Sequence, residues 1–222
     1  MKRQLRGILC AAAAAALLAL PARAAEQTHR AYLRGYPDGT IRPAAHMTRA
    51  QLACALARLA DGTLPDAARA TFFDVPNTHW ACAQIGQLAG LGLLPFGSDG
   101  WFLPDEPVSW RELCGALDAL ADTQAGRAAF PTLSAAWQEK TVLDAEQGSA
   151  AGSADVSRAE FARAINSLLG RSPDGSDAQL RAADWYWDNR DETAWYYAEL
   201  IEASVDHTCC MPEAAECWTA IG

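Results

Sequence analysis

Three short segments combine residue types that can hold an anion. They read Met47-Thr48-Arg49-Ala50-Gln51-Leu52, Val108-Ser109-Trp110-Arg111-Glu112-Leu113 and Val156-Ser157-Arg158-Ala159-Glu160-Phe161. In each, a hydroxyl residue precedes Gln or Glu by three positions, the spacing of a capping box at a helix start. Such a start presents unpaired N–H groups and a partial positive charge. Arg49 and Arg158 fall at the first helical position, where a guanidinium can fork onto a carboxylate or phosphate. The expected ligand-binding residues are therefore Thr48, Arg49, Gln51, Ser157, Arg158 and Glu160, with Trp110 and Arg111 in the second segment and Gly35 and Gly97 in the adjoining loops. In the second segment Trp110 takes the arginine position, with Arg111 one place on, so that site is altered. The plainer alternative is a set of good helix starts with solvated arginines.

Other residue types offer less. His29, His46, His79 and His207 form no metal-ligand spacing, and there is no Gly-x-Ser-x-Gly or phosphate loop. No catalytic residue, metal or cofactor is expected. The acidic and aromatic stretch from Asp184 to Glu202 can imitate a glycosidase cleft, though it reads more simply as a last helix with acidic turns. Cys54, Cys82 and Cys114 lie in Ala-rich helical segments as small hydrophobes, while the pairing of Cys209, Cys210 and Cys217 is left open. The adjacent pair Cys209-Cys210 lacks the spacing of a zinc motif. Among the tryptophans, Trp80, Trp137 and Trp195 recur at one repeat position and are expected in the core, with Trp101 and Trp110 exposed.

Residues 1–24 read as a secretory leader: Lys2, Arg3 and Arg6, an apolar run from Ile8 to Leu20, and Ala22-Arg23-Ala24 as a cleavage site. No later stretch is long and apolar enough to span a membrane. Removing the four leader cations from 18 leaves 14 basic against 27 acidic residues, a net charge of −13 over 198 residues. That charge disfavours nucleic acid and anionic lipid as partners, so any anionic ligand must be held by local arginines.

The elements that position these residues follow from periodicity. Leu52, Leu56 and Leu59, then Leu113, Leu117 and Leu120, then Phe161, Ile165 and Leu168 recur at i, i+4, i+7 behind the three capping segments. A second kind of helix follows Trp80 and Trp195, with Ala81, Ile85 and Leu88 or Tyr196, Leu200 and Ala203 on one face and Gly92 as a stop. Between the two kinds lies an Asp-Gly loop: residues 35–43 and 96–104 align at the same offset that takes Thr48 to Ser109. Gly35 and Gly97 there are turn residues or places where a ligand approaches backbone. One Asp per loop does not make a calcium loop. From the second copy to the third, Trp80 moves by 57 to Trp137 while Ser109 moves by 48 to Ser157. The third copy therefore lacks the loop and carries a Gly/Ser-rich stretch, 147–153, instead.

The order of elements in 72–121, Phe73-Asp74-Val75-Pro76, His79-Trp80-Ala81, an apolar helix, Gly97 to Pro104 and Val108 to Leu113, resembles an S-layer homology unit. The resemblance implies an all-α, pseudo-threefold assembly of helix-loop-helix units that is secreted to the cell wall or cell surface. It divides the chain into a leader (1–24), the second half of a first unit (25–60), a second unit (61–121), a shortened third (122–170), a linker (171–183), a half unit placed to close on the first (184–205), and an irregular tail (206–222). It further implies attachment to pyruvylated secondary cell-wall polysaccharide through the Thr-Arg-Ala-Glu positions, here Thr48-Arg49-Ala50-Gln51 and Ser157-Arg158-Ala159-Glu160. Other surface proteins are possible partners. The alternatives are a wall-glycan hydrolase acting from the acidic C-terminal stretch and a module that only assembles surface proteins.

Overall fold

The computed structural model describes residues 26–60, 62–66, 68–139, 153–210 and 215–222. The leader (1–24) and most of the Gly/Ser-rich stretch (147–152) lie outside them. In chain order the elements are β1 (Gln27–His29), α1 (Arg49–Leu59), α2 (Cys82–Gly90), α3 (Trp110–Asp122), α4 (Gln124–Ala129), α5 (Pro131–Glu139), α6 (Arg158–Leu168), α7 (Ala178–Ala182), α8 (Tyr197–Ser204), β2 (His207–Cys210) and β3 (Cys217–Ile221).

The three capping segments meet at one place. Thr48, Ser109 and Ser157 each cap a helix with the full reciprocal box, opening α1, α3 and α6. The residue just before each cap then bonds to its counterpart in the next segment. Met47 N–H donates to Val156 O (2.8 Å), Val156 N–H to Val108 O (2.8 Å), and Val108 N–H to Met47 O (2.7 Å). Three equivalent extended segments closing a ring of three bonds define a pseudo-threefold axis. Met47, Val108 and Val156 are buried around it, followed on each helix by the predicted apolar stripe. Leu52, Leu56, Leu113, Leu117, Leu120, Phe161, Ile165 and Leu168 are all nearly inaccessible. Each such side chain contributes about 1.5–3 kcal/mol by leaving water.

The C-terminal half unit packs where the N-terminal half lacks its first helix. Tyr32 N–H and Leu33 N–H both donate to Ala203 O at the end of α8 (2.9 and 2.8 Å). More telling is the shared loop geometry. Within 72–121, Asp74 accepts from Phe102 N–H (2.9 Å) and Leu103 N–H (2.7 Å). Asp188 accepts from Ile41 N–H and Arg42 N–H, 2.8 Å each, although it lies 147 residues away. Leu103 and Arg42 both sit at positive φ (59° and 53°), so the two carboxylates hold the same strained turn.

The third copy departs in its first half. Where Phe73 is followed by an Asp-Val-Pro turn, Phe130 is followed directly by Pro131, which opens α5 at once. Trp137 therefore lies inside α5, half-buried, with its indole N–H on Asp118 (2.8 Å). Trp80 and Trp195, expected in the core, are 60% and 47% exposed. They precede the N-cap positions Ala81 and Tyr196, so the inward faces of α2 and α8 are supplied by Ile85, Leu88 and Leu200, and the indoles lie outside. Trp110 is also the reverse of its expectation: it is buried, on the inner side of α3, while Trp101 is half exposed.

The architecture is helical with one small addition. The tail read as irregular forms an antiparallel sheet in the order β1-β2-β3, with Thr28 opposite Thr208 and Thr208 opposite Ala220. Its inner face, with Leu180, Ala183, Tyr197, Ile201, Val205, Cys209 and Trp218, makes a second, smaller core. The alternating burial of β2 is the period-2 signature of a strand with one face covered. It escaped sequence reading because each strand spans only three to five residues.

Candidate functional site

The helix starts are joints between units. Arg49 N–H donates to Glu106 O (3.0 Å), Trp110 N–H to Ala154 O (2.9 Å) and Arg158 N–H to Ala45 O (2.8 Å). The next N–H groups of α1 and α6, on Ala50 and Ala159, go to Pro104 O and Pro43 O. The third go to the capping hydroxyls of Thr48, Ser109 and Ser157. The expectation of free N–H groups awaiting an anion is thus corrected: neighbouring loop carbonyls already occupy them.

Both arginines reach into the next unit's loop. Arg158 is 2% exposed; its Nε donates to Ile41 O (2.6 Å), its Nη2 to Arg34 O (2.6 Å), and its Nη1 faces Gln51 Oε1 (3.5 Å). Arg49 makes the equivalent contacts one unit on: Nη1 to Phe102 O (3.0 Å), with Nε and Nη2 to Glu112 Oε1 (3.1 and 2.6 Å). Arg49 remains partly accessible, its side chain 16% exposed. Burial, outweighed by hydrogen bonds from Ser109 and Arg49, leaves the Glu112 carboxyl below its ordinary value. Arg158 is held below the usual arginine range, chiefly because burial disfavours its charge. A solvated Arg158 free to meet a ligand is not what the fold provides.

The remaining expected residues divide in the same way. Gln51 closes the Thr48 box and donates to the Tyr36 hydroxyl (3.0 Å), and Glu160 accepts from the N–H and hydroxyl of Ser157. Trp110 is buried and Arg111 is exposed. Gly35 is needed because a Cβ there would fall 2.3 Å from the Tyr186 ring, and Gly97 because φ is +83° and a Cβ would meet Trp101 O at 2.4 Å. Protein, not open space for a ligand, crowds both.

What sequence reading missed is the outer surface of the loops. Phe73 (76% exposed) lies against Trp101, with ring centroids 5.8 Å apart, over the 96–104 loop. Trp187 occupies the matching place on the 35–43 loop, donating its indole N–H to Asp38 O (2.9 Å). Arg42 lies over the Tyr36 ring and pairs with Asp38, whose carboxyl is lowered to about 2 first by the Thr40 hydroxyl and then by Arg42. The signal was available in the matching aromatic-Asp pairs Phe73-Asp74 and Trp187-Asp188. Clefts of about 340 Å³ beside Phe72 and Gly86, and about 300 Å³ between Arg34, Trp185 and Asp206, flank these surfaces.

The acidic C-terminal stretch is spent on structure. Asp188 holds the 35–43 turn, Asp191 caps Thr193, Glu192 pairs with Arg181, and Glu199 accepts from Asn166. Glu202 is buried against His29 and His207, so two histidines without a sequence motif come together in space. Among the described residues no helix is long and apolar enough to cross a membrane.

The fold and its joints define a pseudo-threefold assembly of helix-loop-helix units, with Asp188 and Ala203 bonded to the 32–42 segment. The profile of the S-layer homology domain matches residues 29–53, which run from β1 through the Asp-Gly loop into α1. Two proteins of Acetivibrio thermocellus are similar over most of the chain. Cell surface glycoprotein 1 is 26% identical over 212 residues, 85% of this chain and 9% of its own length. A cellulosome-anchoring protein is 25% identical over 199 residues, 81% of this chain and 43% of its own length. The chain thus spans less than half the length of either relative. It carries a match to the S-layer homology domain at residues 29–53 and is similar to a cell-surface protein and an anchoring protein.

Proposed function

We propose that the chain attaches non-covalently to the cell wall by binding an anionic, pyruvylated secondary cell-wall polysaccharide, as a binding module and not as an enzyme. The supporting observation is the joint between α1 and α3. Arg49 uses one N–H on each of Nε, Nη1 and Nη2, which leaves two of its five N–H donors for a ligand carboxylate. Trp101, one residue before the carbonyl that Arg49 contacts, offers an exposed ring on which a sugar can stack. Thr48 and Gln51 border the same helix start. Arg158 sits too deep for contact and holds the equivalent joint together. The relatives' names, surface glycoprotein and anchoring protein, agree with attachment.

With a net charge of −13 after leader removal, binding depends on short-range, charge-assisted contacts. Purified walls should capture the protein, and walls stripped of secondary polymer should not. Arg49→Ala should weaken capture by about 1.5–3 kcal/mol, the worth of hydrogen bonds to a charged group. Arg49→Lys should recover part of this because it keeps the charge and loses the fork. Equal capture by stripped and intact walls, or unchanged affinity in a folded Arg49→Ala protein, would refute the proposal.

A further inference from the structure

His29 on β1, Glu202 on α8, His207 and Cys209 on β2 and Glu216 just before β3 converge in the smaller core, all at most 8% exposed. One donor atom from each of His29, His207, Cys209 and Glu216 lies within 4.8 Å of every other. With His29 Nδ1 engaged by Glu202, its Nε2 is the free donor, 3.8 Å from Cys209 Sγ, and Glu216 Oε2 is 3.9 Å from His207 Nε2. Tetrahedral zinc with bonds of about 2.0–2.3 Å needs donor separations of roughly 3.3–3.7 Å, so the widest pair, up to 4.8 Å apart, must close by about 1 Å on binding. We propose that these four residues bind one zinc ion.

Orientation supports the assignment. His207 Nδ1 lies 2.9 Å from Val205 O, which makes it the N–H donor and turns the Nε2 lone pair inward. Nε2 then faces Glu202 Oε2 at 3.0 Å and Glu216 Oε2 at 3.9 Å. None of these three buried atoms completes a well-directed hydrogen bond. A lone pair confronting two carboxylates is relieved either by a second proton on His207, where burial is outweighed by these carboxylates and the pKa rises to about 9, or by a bound cation, and the cation alone also engages Cys209. Glu216 is fixed from behind, its Oε1 accepting from Ser172 N–H (2.8 Å), and Glu202 Oε1 lies 2.9 Å from His29 Nδ1, the carboxylate–histidine arrangement that orients metal-bound imidazoles.

Charge and chemistry agree. On binding, Cys209 gives up its thiol proton to solvent and forms a sulfur–zinc bond. Two carboxylates and one thiolate then carry three negative charges, Arg171, 3.4 Å from Glu202, returns one, and a divalent ion balances the other two. Nitrogen and thiolate donors favour zinc over calcium or magnesium. Strand alternation places Cys209 in this core while Cys210 lies opposite Cys217, so Cys209 is not the partner of that pair. Four protein donors in a buried site make it structural, fastening β1 to the C-terminal hairpin.

The test uses the full mature chain without a histidine tag, stripped by chelator and dialysed. Zinc titration by calorimetry should give one equivalent, and cobalt should give tetrahedral d–d absorption with a thiolate charge-transfer band. Cys209→Ser should abolish that band and, like His207→Ala, weaken zinc binding at least tenfold, with His79→Ala unchanged. Should either variant misfold, alkylation of the wild type decides: zinc must protect Cys209 and chelator must expose it. No bound equivalent, an octahedral cobalt spectrum, unprotected Cys209, or wild-type affinity in Cys209→Ser would each overturn the proposal.

Discussion

Arg158 gives the sharpest test of the joint between the third and first units. Its guanidinium satisfies Ile41 O and Arg34 O, both at 2.6 Å, in a place with 2% exposure. Truncation to Ala strands the buried Ile41 carbonyl, costing about 1–3 kcal/mol, and the partly buried Arg34 carbonyl, costing less. Against this, the substitution also removes a charge that was itself paying a desolvation penalty, which returns part of the loss. The net expectation is about 2–4 kcal/mol of lost stability, or a Tm lowered by roughly 4–16 °C for a domain of this size. Arg158→Lys should recover less than half, since one ammonium cannot span two carbonyls held by different donor atoms. Urea unfolding followed by circular dichroism measures the first quantity, and capture on walls by the protein that remains folded measures binding. A loss below about 1 kcal/mol together with abolished capture would refute the reasoning and return Arg158 to the ligand.

Two further outcomes follow from the loops. Asp188→Ala should cost about the same as Asp74→Ala, roughly 1.5–3 kcal/mol, because each carboxylate holds two N–H groups of the same turn; a near-zero cost at Asp188 alone, by chemical denaturation, would deny that the C-terminal half completes the first unit. Glu112 is depressed below its ordinary 4.5, burial being outweighed by bonds from Ser109 and Arg49, so its stabilisation is present above about pH 4.5 and lost as pH falls through the folded-state value. Glu112→Gln should therefore be less stable than wild type at neutral pH, and the two unfolding curves should converge in acid; a gap independent of pH would contradict the ion pair.

Legibility in the sequence followed the range of the interactions. The capping boxes and apolar stripes are local, within seven residues, and each stood where the spacing placed it: Thr48, Ser109 and Ser157 cap, and Leu113, Leu117 and Leu120 are buried. The meaning of the arginines was not local. An arginine at a helix start has the same sequence signature whether it faces solvent or a carbonyl of the next unit, and only the contacts to Ile41 and Phe102, 117 and 53 residues away, distinguish the two. The tryptophans failed for a related reason: Trp80 and Trp195 repeat at one position, and repetition alone does not tell an inner position from an outer one. The histidine and cysteine cluster joins His29 to residues more than 170 positions distant, beyond any motif.

The two irregularities of the repeat are connected. Arg49 and Arg158 each reach the Asp-Gly loop of the following unit, and the α3 position that would reach the third unit's loop holds Trp110. That third loop is the one the sequence lacks: 28 residues separate Trp80 and Ser109 in the expected 29-residue step, against 19 between Trp137 and Ser157. The sequence offers no Asp-Gly loop for an arginine there to reach, and Trp110 is buried in its place. Trp110→Arg should then neither rebuild a binding groove nor be neutral. It should lose at least about 3 kcal/mol, the usual cost of deleting a buried large aromatic, and leave wall capture no stronger. Among the described residues Glu160 opposes this, since it stands where Glu112 receives Arg49. If Trp110→Arg kept its stability in denaturant and bound walls more tightly, Glu160 would have received the new guanidinium, and the loop carbonyls would not be what fixes an arginine at these joints.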